Sequence, residues 1–230
     1  MGKVQMTKRR FIETAKENSK YKYEESYHDY THHFLLENEK YYQARAMISY
    51  MKYFSDIDTS KLILEYGVGL GQNIAALPNA YGYDISMFAL KKCSERGLKV
   101  FNKNSPRPVF DMVFARHVLE HLENPLEELN NMSKWLKPGG TIRLVVPLEV
   151  QKKVPLELSD NNHLFAWTYQ TLNNLLVKAG FEIIENKTLR GTGYKKLLFL
   201  SKSMPLYHLA THLAARWNGS KEIMVTAIKK

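Results

Sequence analysis

Apolar residues fall into two rhythms along this chain. Short apolar runs bounded by turn residues lie at 61–65, 80–84, 98–101, 110–115 and 140–146, and they read as buried strands. Between them, helical spacing marks 71–77, 86–96 and 125–136. Alternation of this kind predicts a parallel sheet covered by helices on both faces. Right-handed crossovers then gather Glu65, Asp84, Asn102 and Arg116 at the carboxyl edge, where such sheets bind ligands. Thr168 is the expected N-cap of a helix that Gly180 ends, and 181–189 with 221–229 form a closing antiparallel pair. Upstream, residues 21–55 are mostly helical from about Glu37, with Tyr41, Arg45, Ile48 and Lys52 on successive turns. Near the end, Leu206, Leu209, Ala210, Leu213, Ala214 and Trp217 recur at helical spacing. That stripe is expected to pack on the domain or on a partner subunit, giving a homodimer through helix 205–217.

The first strand breaks into Glu65-Tyr66-Gly67-Val68-Gly69-Leu70-Gly71, and a second short run ends at Asp84, nineteen residues after Glu65. Glycines after a buried strand let the backbone approach a bound nucleotide, and a carboxylate at the end of the second strand can accept from both ribose hydroxyls. A Gly-x-Gly-x-x-Gly turn would also fit a nicotinamide enzyme. Here the spacing is Gly-x-Gly-x-Gly, with an acid two residues before the first glycine.

Three later segments narrow the class. They are Phe110–Pro125 with its Val118-Leu119-Glu120-His121 loop, Leu136–Pro147 with Lys137-Pro138-Gly139-Gly140, and the stretch from His163 to Phe181. In this order the four motifs resemble the class I S-adenosylmethionine-dependent methyltransferases, over roughly residues 60–190 and the final strand. The resemblance implies an α/β, Rossmann-like, doubly wound and mostly parallel seven-stranded sheet with an antiparallel last strand, here with an N-terminal helical cap. It implies S-adenosylmethionine as cofactor, with S-adenosylhomocysteine as product. It sets Glu65 and Gly67 near the amino-acid end of the cofactor, Gly69 and Gly71 at its backbone cradle, Asp84 on the ribose, Ile85 on the adenine and Asn102 at the adenine amine. Arg116 and His117 then face the methyl group. The expected domains are a mobile basic arm (1–20), a helical cap (21–57) and a methyltransferase domain (58–230) with a helical insertion at about 191–219.

Composition sets the outer limits. A chain of 230 residues suits one α/β domain. The one cysteine, Cys93, excludes an internal disulfide, a cysteine-based zinc site and a two-cysteine mechanism, and fits a reducing cytosol. No apolar run approaches the roughly 20 residues of a membrane helix, and the basic N-terminus lacks a signal-peptide core. The net charge of +10 sits at the ends: residues 1–22 hold seven Lys/Arg against two Glu, and 181–230 hold nine against three. Such ends attract nucleic acid, anionic surfaces or phosphorylated substrates, or serve as solvated faces.

For the chemistry, His117, His121 and His163 are candidate bases, because imidazole titrates near neutrality. His117, Glu120 and His121 also spell His-x-x-Glu-His, an inverted zincin signature. That signature needs both histidines on one helix, whereas Phe110–Phe114 before it reads as a strand, so no metal is expected. Nor is one expected at His28, Asp29, His32 and His33, which lie in a segment expected to be polar and flexible. Eight of the fourteen tyrosines fall between Tyr21 and Tyr53, suited to an aromatic lid or to packing of the cap on the sheet edge. The expected acceptor is a small or medium metabolite methylated on oxygen or nitrogen: a sugar, a glycan precursor or a quinone-like molecule. Alternatives are a nucleic-acid or protein methyltransferase using the basic termini, a non-catalytic cofactor-binding protein, and a nicotinamide oxidoreductase.

Overall fold

The computed structural model describes residues 23–101, 110–149, 163–190, 195–217 and 221–230. Three helices come first: α1 (Glu25–Thr31), α2 (His33–Glu37) and α3 (Glu39–Tyr53). The body follows as β1 (Ile63–Tyr66), β2 (Ala80–Tyr83), α4 (Met87–Glu95), β3 (Lys99–Val100), β4 (Phe110–Arg116), α5 (Pro125–Lys134), β5 (Leu136–Pro147), α6 (Tyr169–Lys178) and β6 (Phe181–Arg190). A 3-10 segment (Lys195–Lys202) and α7 (Met204–Trp217) then lead to β7 (Lys221–Lys229).

The seven strands run in the order β3-β2-β1-β4-β5-β7-β6. β1 pairs in parallel with both β2 and β4, and β7 runs antiparallel to both its neighbours. The strand order therefore reverses at β1/β4, the switch point at which such sheets open a crevice. The strands of the centre bury both faces. Leu64, Val113, Ile142 and Leu144 pack with Leu129 and Met132 of α5 and with Leu172 and Leu176 of α6. Ile63, Met112, Phe114 and Val145 pack on the other side with Tyr53 of α3, Phe54 and Cys93 of α4. Buried Arg143 fastens the end of α3 to the sheet, donating to the Tyr53 carbonyl and to both Asp56 oxygens at 2.8 Å.

Thr168 caps α6 as expected, accepting from the Thr171 amide, and the Lys-Pro-Gly-Gly turn forms a bulge in β5 opposite Phe110 and Met112. Two expectations are corrected, and a third, the packing of the α7 stripe on the domain or a partner subunit, is narrowed. Residues 71–77 form consecutive turns rather than an α-helix; Asn73 spends its side chain on Glu65 and Pro78 closes the segment. The histidine-rich stretch is helical, with His28 buried and stacked on Phe88. The apolar stripe of α7 does not pack on its own domain. Leu206, Leu209, Leu213 and Trp217 are exposed, while Tyr207, Thr211 and Ala215 face inward and Tyr207 fills a pocket against Ala44 and Ile48 of α3. Residues 1–20 and Asn102 lie outside the described residues. No helix among the described residues is long and apolar enough to cross a membrane.

Candidate active site

At the carboxyl edge, the turn after β1 is held by the end of β2. The amides of Gly67 and Val68 both donate to the Tyr83 carbonyl, at 2.8 and 3.0 Å, and the Gly69 amide donates to Asp84 Oδ2 at 2.8 Å. Two of the glycines differ in what they leave open. A Cβ at Gly67 would lie 2.4 Å from Val118 Cγ2, so this glycine is a packing requirement. A Cβ at Gly69, where φ is +52°, would meet nothing within 4 Å, so its missing side chain leaves room over the turn. Gly71, expected at the cofactor, lies outside the cavity wall and packs against Leu98 and Cys93.

The turn forms one wall of a cavity of about 780 Å³ that also takes in Asp84, Ile85, Arg116, His117, His121 and His163. Of the expected site residues that are described, Glu65 and Gly71 alone stay behind the wall, and Glu65 touches it through Asn73. Its Oε1 accepts from Asn73 Nδ2 at 2.6 Å, and its buried Oε2 has no hydrogen-bond partner. Burial pushes this carboxyl up to about 8. Asp84 is also raised by burial, against the amide bonds from Ser86 and Gly69 that favour its charge. Ile85 is 68% exposed and offers an apolar surface at the rim.

At the end of β4 the chain bends through His117, the one non-glycine residue at positive φ (+56°) among those described. Its amide donates to the Val145 carbonyl at 2.9 Å. Its Nε2 lies 3.0 Å from Glu222 Oε1, on β7, and the same oxygen accepts from Arg116 Nη2 at 2.6 Å. Glu222 Oε2 accepts from Lys52 Nζ and the Tyr53 hydroxyl at 2.7 and 2.8 Å, and that hydroxyl accepts from Arg116 Nε. Burial opposes the charge on Glu222, but Arg116, His117 and Lys52 hold it well below the usual carboxylate range. Burial, and then the Arg116 charge, push His117 down to about 4. A neutral ring donating Nε2–H to Glu222 has no lone pair at that nitrogen for base chemistry. Arg116 lines the cavity, yet two of its donors are engaged inside the protein.

The 3-10 turn Leu119–His121 follows. The Glu120 carbonyl accepts from the amides of Leu164 and Phe165, which draws the segment after β5 beside the turn. His121 and His163 meet there edge to face, with ring centroids 4.8 Å apart, and His163 Nδ1 lies 2.6 Å from Glu149 Oε1.

The cap closes the other side. Glu24 accepts from the Met87 and Phe88 amides at 3.1 Å and from the Ser86 hydroxyl, pinning α1 to the first turn of α4. Tyr23, Tyr27, His28 and His32 thereby reach the cavity. Sequence reading missed Glu222, Glu149 and this docking of α1. Glu222 carried a signal, because it opens a run of inward residues in an otherwise apolar strand.

A methyltransferase-domain family model matches residues 39–186. The chain is 34% identical over 105 residues to a tRNA U34 carboxymethyltransferase of Hydrogenovibrio crunogenus, covering 43% of this chain and 32% of that relative. The aligned part thus spans about a third of the relative's length. Among solved structures, a putative methyltransferase of Bacillus halodurans superposes with a TM-score of 0.54 at 16% identity, covering 80% of this chain and 98% of that one. A Haemonchus contortus phosphoethanolamine N-methyltransferase 2 in complex with S-adenosyl-L-methionine gives 0.55 at 17% identity, covering 87% and 58%. With the glycine turn, Asp84 and the β1/β4 crevice in place and the family model spanning well over half of the sequence, the chain belongs to the class I S-adenosylmethionine-dependent methyltransferases.

Proposed function

We propose that this chain transfers a methyl group to an oxygen or nitrogen of a small acceptor. The donor fits the residues present. Gly69 leaves open space over the turn, Asp84 follows β2 where it would accept from the ribose hydroxyls, and Glu65 keeps an unsatisfied oxygen that suits an ammonium group. S-adenosylmethionine, when bound, supplies a methyl group activated on a sulfonium. The protein's own part is alignment and exclusion of water: Asp84 and Ile85 orient, Asn73 carries Glu65 to the wall, and α1 covers the cavity.

The observation that favours a small acceptor is the charge of the lining. Among the described residues the cavity presents Asp84, Glu123 and Glu149 against one guanidinium, Arg116, which is already paired with Glu222. A polyanion needs the reverse. The basic ends, and the tRNA in the name of the Hydrogenovibrio carboxymethyltransferase, support a second reading in which the acceptor is tRNA. Turnover with labelled methyl donor separates the two. A small acceptor gives transfer that changes little between 50 and 200 mM salt, on the order of twofold, whereas tRNA methylation would fall by orders of magnitude over the same range.

A further inference from the structure

We propose that Glu120, His121 and His163 bind a divalent transition-metal ion of the zinc class on the acceptor side of the cavity. One ligand atom from each of the three lies within 4.8 Å of those from the other two. Bonds of about 2.0–2.2 Å put ligand atoms on one ion roughly 3.3 Å apart, so small side-chain rotations close the set.

The independent observation is Glu120. Its side chain is fully buried, and neither carboxyl oxygen has a hydrogen-bond partner beyond the residue's own backbone. Its nearest ionic neighbour, His117 Nδ1, stands 3.8 Å from Oε1, beyond hydrogen-bond reach. An interior carboxyl with so little of its acceptor capacity filled is costly, and a cation at the cluster would fill it. His163 adds a second feature. Its Nδ1 is held at 2.6 Å by Glu149, which leaves Nε2 as the lone-pair nitrogen and repeats the carboxylate–histidine–metal arrangement that orients imidazole ligands. The backbone bonds from Leu164 and Phe165 to the Glu120 carbonyl fix the two segments against each other, so the three ligands are brought together by main-chain geometry.

Two imidazoles and one carboxylate suit zinc, cobalt, manganese or iron rather than magnesium or calcium. His-x-x-Glu-His does not act as a zincin helix here. His117 follows β4 and turns to Glu222, and His163 takes its place. His121 and His163 line the cavity, so open coordination positions face the space for an acceptor. On the proposed small-acceptor reading, an acceptor hydroxyl would coordinate there; the ion would favour its deprotonated form, the proton leaving to solvent.

The test titrates Co²⁺ and Zn²⁺ into full-length, chelator-treated protein, following Co²⁺ visible absorption and bound metal by mass spectrometry. One ion per chain is expected, with a Co²⁺ spectrum displaced by Zn²⁺. Both signals should be lost, or weakened at least tenfold, in Glu120→Gln and His163→Ala, while S-adenosylmethionine affinity in calorimetry stays within about threefold. No stoichiometric ion in the wild type, or the same ion retained in both variants, overturns the site. Metal binding without any S-adenosylmethionine binding would instead sink the methyl-transfer reading and leave the site standing. Circular dichroism of Glu120→Gln, which changes a buried side chain, checks that lost binding is not lost folding.

Discussion

Arg116 Nη2 donates to Glu222 Oε1 at 2.6 Å, joining the end of β4 to the start of β7 across β5. The bond ties the carboxyl edge of the sheet to its last strand and, through Lys52 and Tyr53, to the cap helix α3.

Removing the negative centre of that network should be expensive. Glu222→Gln leaves Lys52 and Arg116 with buried positive charge and no counter-charge. Breaking a buried pair this way costs about 3–5 kcal/mol, which lowers Tm by roughly 10 °C in a chain of this size. Scanning calorimetry checks it; a shift of only a degree or two would mean that water already screens these charges.

Glu65 makes stability depend on pH in a stated direction. Its folded pKa, about 8, lies above the unfolded value near 4.5, so its contribution is full below about 4.5 and is lost as pH rises through 8. Ligand-free protein should therefore lose Tm between pH 5 and 9, and Glu65→Gln should show a shallower slope and a higher Tm at pH 9. A variant curve parallel to the wild type would contradict this. Binding of S-adenosylmethionine near pH 7 should also release a proton, seen as a buffer-dependent heat in the wild type and absent in Glu65→Gln.

Gly67 and Gly69 should separate stability from binding. Gly67→Ala drives a methyl into Val118 and lowers Tm. Gly69→Ala pays only the left-handed backbone cost of about 1–2 kcal/mol and keeps the fold, but weakens S-adenosylmethionine at least tenfold. Equal effects of the two on binding, after correction for unfolded protein, would argue against an open cradle at Gly69.

The cap depends on one carboxylate. Glu24→Ala removes the bonds to Met87 and Phe88, and α1 should exchange its amides faster by an order of magnitude or more in hydrogen-exchange mass spectrometry. The amides of α5 should be unaffected. Unchanged protection in α1 would show that ring packing, such as His28 on Phe88, holds the helix by itself.

What could be read in advance follows from what a sequence pattern encodes. The β1 turn and Asp84 were legible because glycine spacing and a strand-end acid carry their geometry locally. The parallel sheet and its closing antiparallel pair followed from periodicity, whereas the order of the strands came only with the fold. The segment 71–77 misled because its helical spacing is local, whereas the pull of Asn73 toward Glu65 is not. In α7 the aliphatic stripe pointed outward; Tyr207 decided the inward face by filling the pocket beside Ile48, a match visible only in three dimensions. The polar segment Glu25–Thr31 shows no aliphatic period, since its contacts are rings: Tyr27 with His28, and His28 with Phe88. Glu222 and Glu149 became visible as site residues only when the fold brought distant segments together, Glu222 beside His117 and Glu149 beside His163.

The central claim, a methyl-donor site built on the Gly69–Asp84 turn, is tested most directly by calorimetric titration of S-adenosylmethionine and S-adenosylhomocysteine into the wild type and Asp84→Ala. One site per chain is expected, with Kd on the order of micromolar, at least tenfold weaker in the variant, and no comparable binding of nicotinamide dinucleotides. No detectable binding of either ligand by folded wild-type protein, or equal affinity in Asp84→Ala, would contradict it.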